Sequence, residues 1–504
     1  MANFKQMPMA PSQVVMFPVS VEDSLPADCD VRLVGEAMEA LDWRAFETAY
    51  AETGRPAYPP KVMCKILVYG YSKGIRSSRA LEEVVKHDQR YIWLAGGLKP
   101  DHTTIARFRK EHEAWFKQVY QSTVRLCTEA GLVLLSVVAT DGSKIPARAS
   151  KRSLYDAKRL EREMEAIDRI LAEAEATDQA EDELYGQGAN CKLPRQLADA
   201  KQRREKLAEI AARLEQSGRK SVAAGEPDCR VMKTTSGLRP SYNAQLTVDA
   251  ASGVIVAAEL TQQQTDNGLL SQQLQQTAQN VGCRPALALA DSGYSDEATF
   301  QSLAETGQQA LIPPQQQPQE AKRNDLFASR CFVPDEQRDV LICPAGRELT
   351  FRRVVRCSSG SYRVYTAQNC RDCSFYGQCV KVKSKRGRSV QISVVAAQRE
   401  GMRQKLKTAE GKALYKLRQQ TAERVIAQLK GNLGFNRFGL AGVGGAGAEW
   451  WLICAVHNLL TYLRGVAAAA NKVVRHLLGR LADRTMRPFR WHIRHLRLEG
   501  AFLK

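Results

Sequence analysis

Apolar positions along the chain change rhythm from one region to the next. Between residues 31 and 130 they recur at helical spacing. In PPKVMCKILVYGYSKG, Val62, Ile66, Leu67 and Tyr71 share one face, and the run stops at Gly74. SSRALEEVVKHDQR opens on serine capping signals and carries Leu81, Val84 and Val85. PDHTTIARFRKEH opens on Pro100-Asp101 and a threonine pair, then presents Arg107, Arg109 and Lys110. Several short helices ending in a capped basic one fit a helix-turn-helix module. They fit a plain helical bundle or dimerisation unit equally well. Residues 1–30, with four prolines, form an extended lead-in.

The rhythm then shortens. In LVLLSVVATDGSKI, the residues Leu132, Val133, Leu134, Leu135, Val137 and Val138 predict a strand buried on both faces, with Asp141, Gly142 and Ser143 as its polar exit. SYNAQLTVDAASGVIVAAEL (241–260) predicts a hairpin closed by Ala-Ser-Gly, with a structural Asp249 at the turn. PALALAD (285–291) is a second short apolar strand that delivers Asp291. Asp228 and Asp266 are isolated acids in polar surroundings, unassigned competitors for any metal role. Residues 308–320, with three prolines and many glutamines, predict a linker.

Longer helical periods frame these strands. Leu160, Met164, Ile167, Leu171 and Ala174 step by 4, 3, 4 and 3, and Leu207, Ile210 and Leu214 repeat the seam after a break at Gly186, Gly188 and Pro194. Residues 151–235 therefore predict a charged antiparallel helical hairpin, a spacer by default and a DNA clamp or dimer contact by alternative. Residues 405–432 predict a strong helix. Its Tyr415, Arg418, Glu423 and Lys430 fall within roughly 140° of one another at 3.6 residues per turn. An amphipathic helix with pairs one turn apart would read similarly. Gly439–Gly447 lacks the G-K-[ST] ending of a phosphate loop.

Composition adds a charge asymmetry. The 504 residues allow several domains, and the net charge is +19. From Lys381 to Lys504 there are 25 Lys and Arg against 6 Asp and Glu, so that stretch holds the whole excess. A neutral body with a basic end points to a polyanion partner. The tail from Lys472 mixes Arg475, Arg480, Arg484, Arg487, Arg490, Arg494 and Arg497 with Phe489 and Trp491. Thirteen cysteines in so long a chain do not make a disulfide scaffold. Met1–Ser20 lacks the apolar core of a signal peptide, and Trp450–Leu463, interrupted by His457 and Asn458, reads as a buried helix rather than a membrane span. These features point to the cytosol.

Two groups of residues carry candidate chemistry. Cys370-Arg371-Asp372-Cys373, with Cys343 before it and Cys379 after it, supplies four thiolates for a tetrahedral Zn²⁺. Cys331 and Cys357 are alternative ligands, and reduced, unligated cysteines are the plainer reading. The basic run Lys381, Lys383, Lys385, Arg386 and Arg388 follows at once. Elsewhere, strand Asp141, strand Asp291 and helix Glu423 make a sparse carboxylate set suited to two Mg²⁺ (or Mn²⁺) ions in phosphodiester chemistry. The order strand-Asp, hairpin, strand-Asp, helix-Glu predicts an α/β chain with a ribonuclease H-like catalytic core.

The chain at this point resembles the DDE transposases of bacterial insertion sequences. The resemblance rests on ATDGSK (139–144), ALADSGY (288–294) and YKLRQQTAERVIAQLKGNLGFNRF (415–438), the last similar to the family's Tyr-Arg-Glu-Lys signature. MFPVSVEDSLPADCDVRL, PDHTTIARFRKEH, VMKTTSGLRPSYNAQLTVDA and CRDC match the same branch, so the likeness covers roughly residues 15–465. It implies catalytic Asp141, Asp291 and Glu423, two divalent ions, and cut-and-paste chemistry on double-stranded DNA at inverted terminal repeats by a homodimer or higher oligomer. Tyr415, Arg418, Lys430, Arg437, the basic run at 381–388, Arg107 and Arg109 are the expected DNA contacts. Two departures stand out. Arg418 to Glu423 is one residue longer than the commonest signature, and GLAGVGGAGAEW is poor in arginine.

The expected division is a helical N-terminal domain (1–130), a catalytic domain (131–150, 236–330 and 396–465), an inserted helical hairpin (151–235), a small zinc-ribbon-like insertion (331–395) and a basic tail (466–504). Competing functions are a catalytically silent DNA-binding derivative and a metal-dependent nuclease without strand transfer. All three carboxylates are present, which argues against the silent form.

Overall fold

A computed structural model describes residues 20–48, 50, 56–185, 195–315, 327–335, 337–357, 360–368, 370–380 and 387–484. The helical N-terminal region includes α1 (Pro60–Ser72), α2 (His102–Glu111) and α3 (Glu113–Glu129). Pro60 occupies the first turn of α1, where a missing N–H costs nothing. Asp101 caps α2 by accepting the Thr104 N–H at 2.8 Å.

The central sheet contains β1 (Val137–Pro146), β2 (Arg230–Thr234), β3 (Gly237–Asp249), β4 (Ile255–Thr261), β5 (Leu287–Leu289) and β6 (Ala310–Leu311). β3 pairs antiparallel with β1, β2 and β4; β1 pairs parallel with β5, and β5 parallel with β6. Read across, the sheet runs β4–β3–β1–β5–β6, with β2 also on β3. This is the strand order expected of a ribonuclease H-like core. The Asp249 carboxylate accepts the N–H groups of Leu135 and Ser252 at 2.9 and 3.0 Å, which makes it the structural turn residue expected.

Two strand boundaries differ from the sequence reading. Leu132–Leu135 precede β1, where Leu134 is 65% exposed and Leu135 has φ 51°. Asp141 therefore lies inside the strand rather than at its exit. The long edge of β3 holds the polar residues in the ladder, from Val138↔Asp249 to Pro146↔Ser241. Within the expected linker, Ala310 and Leu311 form β6, buried against β5. A two-residue strand between glutamines and prolines has no periodicity to read.

One continuous core joins the N-terminal helices, the sheet and the long helix that closes the fold. The helical hairpin is α4 (Ala157–Tyr185) and α5 (Arg195–Ser217), and Leu160, Ile167, Leu207, Ile210 and Leu214 form its separate seam, as the heptads predict. Helix α6 (Leu269–Val281) lies between β4 and β5, and after the sheet come α7 (Ala409–Arg418), α8 (Arg424–Gly431) and α9 (Gly442–Arg484). In α9, Trp450–Leu459 is buried against the sheet; Trp450 Nε1 donates to Gln245 O at 3.2 Å and Trp451 Nε1 to Ala258 O at 3.1 Å. At its start α9 runs close to α3: a Cβ on Gly444 would lie 2.4 Å from Glu113 Oε2. Among the described residues no helix is long and apolar enough to cross a membrane.

Residues 333–393 form a second, five-stranded antiparallel sheet: β7 (Val333–Asp335), β8 (Val340–Ile342), β9 (Glu348–Cys357), β10 (Gly360–Ala367) and β11 (Ser389–Ser393). Its own small core contains Phe332, Leu341, Leu349, Tyr365 and Val390, with Cys343, Cys370 and Cys379 packed against it.

Candidate active site

Sheet register places the first two carboxylates. Ala139 pairs with Leu289 across the parallel β1–β5 ladder, so Asp141 and Asp291 each lie two residues beyond one matched pair. Asp291 lies past the end of β5 in extended backbone, close enough to Asp141 for its charge to raise the Asp141 pKa. β5 ends at Leu289, and beyond it the chain turns. Asp291 caps that turn, accepting the Gly293 N–H at 2.8 Å. Asp141 accepts the Gly142 N–H at 2.9 Å.

The third carboxylate arrives on a modified helix. Between α7 and α8, residues Gln419–Glu423 form a π-helical turn. An extra residue inserted in an α-helix is absorbed by such a turn, which re-aims the side chains around it. Arg418 and Glu423 thus face each other: Arg418 Nη2 donates to Glu423 Oε1 at 2.5 Å. The same guanidinium reaches Asp141, with Nη1 3.4 Å from Oδ2. The longer Arg418–Glu423 spacing is accommodated without separating the pair.

Burial sets the electrostatics. The Asp141 side chain is 14% exposed, and desolvation raises its pKa to about 6. Arg418 and the Gly142 N–H oppose that rise, while Asp291 and Glu423 add to it. Burial lowers the Lys430 pKa, and Asp141 pulls it back up. Burial raises the Tyr415 pKa, with Arg418 acting against it and Asp291 and Asp141 with it. Burial works to lower the Arg418 pKa, but Asp141, Tyr415 and Glu423 carry it above its ordinary value. Tyr415, Arg418, Glu423 and Lys430 therefore share the surroundings of Asp141.

Among the described residues, no three carboxylates, thiols or imidazoles are spaced to hold a metal as they stand; the Arg418 cation lies between Asp141 and Glu423. The donor set itself, three carboxylates and no sulfur or imidazole, is the hard oxygen chemistry that suits Mg²⁺ or Mn²⁺.

The thiols are sorted by the second sheet. Cys343, Cys370, Cys373 and Cys379 line one small pocket, and Cys331 and Cys357 are not among its walls. Cys343 Sγ accepts the Arg347 N–H and Cys370 Sγ the Arg388 N–H, each at 3.3 Å.

The basic residues expected on DNA divide. Lys381, Lys383, Lys385 and Arg386 lie outside the described residues. Arg388 braces the cysteine module, with Nη2 donating to Phe327 O at 3.0 Å. Arg437 donates to Ala147 O at 3.0 Å and to Arg148 O, tying its loop to the end of β1. Arg109 is 6% exposed; it donates to Tyr71 Oη, Arg76 O and Ser78 Oγ and stands 4.0 Å from Glu449. Its neighbours on α2, Ile105 and Phe108, are also buried, so this side of the helix faces the core and Arg109 is a packing residue. Arg107, 66% exposed beside Glu111, remains on the surface.

Two acids went unassigned in the sequence. Asp266, before α6, accepts from Lys144 Nζ at 2.7 Å, Asn243 Nδ2 at 2.7 Å and Gln245 Nε2 at 2.8 Å. Only its position in a polar loop was legible. The other unassigned acid, Asp228, accepts the Val443 N–H at 3.2 Å at the start of α9.

The sheet order, with Asp141 in one central strand, Asp291 just beyond its neighbour and Glu423 on a helix, is that of a ribonuclease H-like core. The family model described as "Transposase DDE domain" matches residues 342–463, and that described as "Transposase domain (DUF772)" matches residues 19–111. Transposase domains are thus matched in both its N-terminal and C-terminal parts, which supports a DDE-type insertion-sequence transposase. The first match contains Glu423 and the four clustered cysteines; Asp141 and Asp291 lie outside both. No curated protein matches the chain.

Proposed function

We propose that the protein cuts double-stranded DNA at the terminal inverted repeats of its element and joins the freed 3′ ends to target DNA. The observation that carries this reading is the meeting of Asp141 and Glu423 on one guanidinium, Arg418, with Asp291 in the turn just beyond the adjoining strand. Asp141, Asp291 and Glu423 would hold the divalent ions, which when bound activate the attacking hydroxyl and stabilise the leaving oxygen. Arg418 and Lys430 are cations beside the carboxylates. A phosphodiester entering there offers Arg418 a new anionic partner, in the fork geometry that guanidinium and phosphate share. Tyr415 is kept in its neutral phenol form and can donate to a phosphate oxygen. We further propose that Cys343, Cys370, Cys373 and Cys379 hold one structural Zn²⁺, and that the basic end of the chain binds the DNA backbone.

The test is a duplex carrying the repeats that flank the coding element, mixed with protein and Mg²⁺. Nicking at the repeat boundary and joining to a second DNA are expected. Cleavage without joining would make the protein a nuclease, and equal cutting of DNA that lacks the repeats would contradict end recognition.

A further inference from the structure

Behind the catalytic strand lies a polar cluster that the proposed chemistry does not use. In β1, Gly142 pairs with Gln245 and Lys144 with Asn243. These residues alternate with Asp141 and so project from the opposite face of the sheet. Asn243, Gln245 and Tyr294 are each no more than 1% exposed. Asp266 sits at their centre, in contact with Lys144, Asn243 and Gln245. Gln245 Nε2 also donates to Asn243 Oδ1 at 2.9 Å, and the Tyr294 hydroxyl donates to Gln245 Oε1. Tyr294 closes the turn that Asp291 caps. A relay of hydrogen bonds therefore runs from Lys144 on β1, through Asp266 and Gln245, to the turn that presents Asp291.

Two glycines make room for it. A Cβ on Gly142 would lie 2.2 Å from Gln245 Nε2 and 3.0 Å from Asp266 Oδ1. A Cβ on Gly293 would lie 2.9 Å from Asp291 Oδ1 and 3.4 Å from Asp266 Oδ2. Each is a close neighbour of a site aspartate, and each holds open space that the Asp266 cluster borders. Buried polar networks that are fully paired hold one geometry, because any shift leaves a desolvated group without a partner.

We propose that Asp266 is a positioning residue for the carboxylate site: through Lys144, Gln245 and Tyr294 it fixes the turn of Asp291 relative to Asp141. This rests on the carboxylate-site reading given above. It assigns Asp266 no contact with metal or DNA. Partners that orient metal ligands typically change metal affinity or activity by about 10–100-fold when removed.

The experiment measures Mn²⁺ binding to the full chain by electron paramagnetic resonance of the free ion, alongside Mg²⁺-dependent cleavage and DNA affinity. Asp266→Asn is expected to weaken Mn²⁺ binding about tenfold and to raise the half-maximal Mg²⁺ concentration for cleavage similarly. DNA affinity and the circular dichroism spectrum should stay as in the parent. If Asp266→Asn does not fold, Tyr294→Phe removes only the far hydroxyl of the relay and should shift both ion midpoints the same way by about threefold. Unchanged Mn²⁺ and Mg²⁺ midpoints in a folded variant would overturn the proposal. Asp141→Asn is the control for the underlying reading: if it too binds Mn²⁺ and cuts like the parent, the carboxylate site is wrong, independently of Asp266.

Discussion

Arg418 and Glu423 stand five positions apart yet form a hydrogen bond of 2.5 Å, because the residues between them make one π-helical turn. In an uninterrupted α-helix, residues five apart point about 140° away from each other. The π turn removes that divergence and leaves Arg418 free to reach Asp141 as well. A carboxylate on β1 and another on the helix are thereby joined through one side chain.

The burial of Asp141 has a consequence for stability with a definite sign. Its folded-state pKa, about 6, lies above the ordinary 3.8. The stability this group contributes is therefore fully present below about pH 4 and is lost as pH rises through about 6, to an extent on the order of 3 kcal/mol. In chelator, Asp141→Asn should melt above the parent at pH 7 and at nearly the same temperature at pH 4. A variant that melts lower at pH 7 would mean that Arg418 outweighs burial. In the parent, Mg²⁺-dependent cleavage should decline at acid pH, with a midpoint below about 6 because a bound cation favours the carboxylate form of Asp141.

Arg107 and Arg109 should separate in a paired experiment. Arg109→Ala leaves Glu449 buried without its cation and removes donors to Arg76 O and Ser78 Oγ. It should cost about 3 kcal/mol or more in chemical denaturation. Arg107→Ala, at an exposed site, should change stability by less than about 0.5 kcal/mol. Equal, small effects would place Arg109 back among candidate surface contacts.

The cysteine module gives a compositional prediction. Protein purified without added zinc should carry about one zinc per chain. Serine at Cys343, Cys370, Cys373 or Cys379 should release it, and serine at Cys331 or Cys357 should not. Chelation should expose amides of 333–393 to hydrogen exchange while the central sheet stays protected. Zinc-free protein with that second sheet intact would rule out the metal site.

Deleting residues 472–504 removes 9 Lys and Arg against 2 Asp and Glu, a net +7 of the +19. Non-specific DNA binding should weaken, and the log–log salt dependence should flatten by ~0.9 for each phosphate that the shortened chain no longer neutralises. A slope equal to the parent's would assign the tail to a role other than the DNA backbone.

What the sequence disclosed follows from the kind of signal each element carries. Hydrophobic periodicity revealed the heptad hairpin, the β3–β4 hairpin and the strand ahead of Asp291, since each buries a regular stripe. It misplaced Asp141 at a strand exit because polar residues 141–144 look like a turn until the long partner β3 is known. It missed β6, which owes its conformation to pairing with β5. The extra residue between Arg418 and Glu423 was visible, but whether a helix breaks or absorbs it is a matter of tertiary packing. Arg109 looked like a DNA contact because its buried partners come from α1, from the Arg76–Ser78 stretch and from α9, distant in sequence. The Asp266 cluster draws on four separate segments and has no local pattern.

The central claim is that Asp141, Asp291 and Glu423 form one metal-dependent site, and the most direct measurement is single-turnover cleavage of a repeat-bearing duplex by Asp141→Asn, Asp291→Asn and Glu423→Gln. Each variant should bind the duplex with close to the parent's affinity and should lose cleavage in Mg²⁺. Substantial Mg²⁺-dependent cleavage retained by any one of them would remove that residue from the site and contradict the three-carboxylate account.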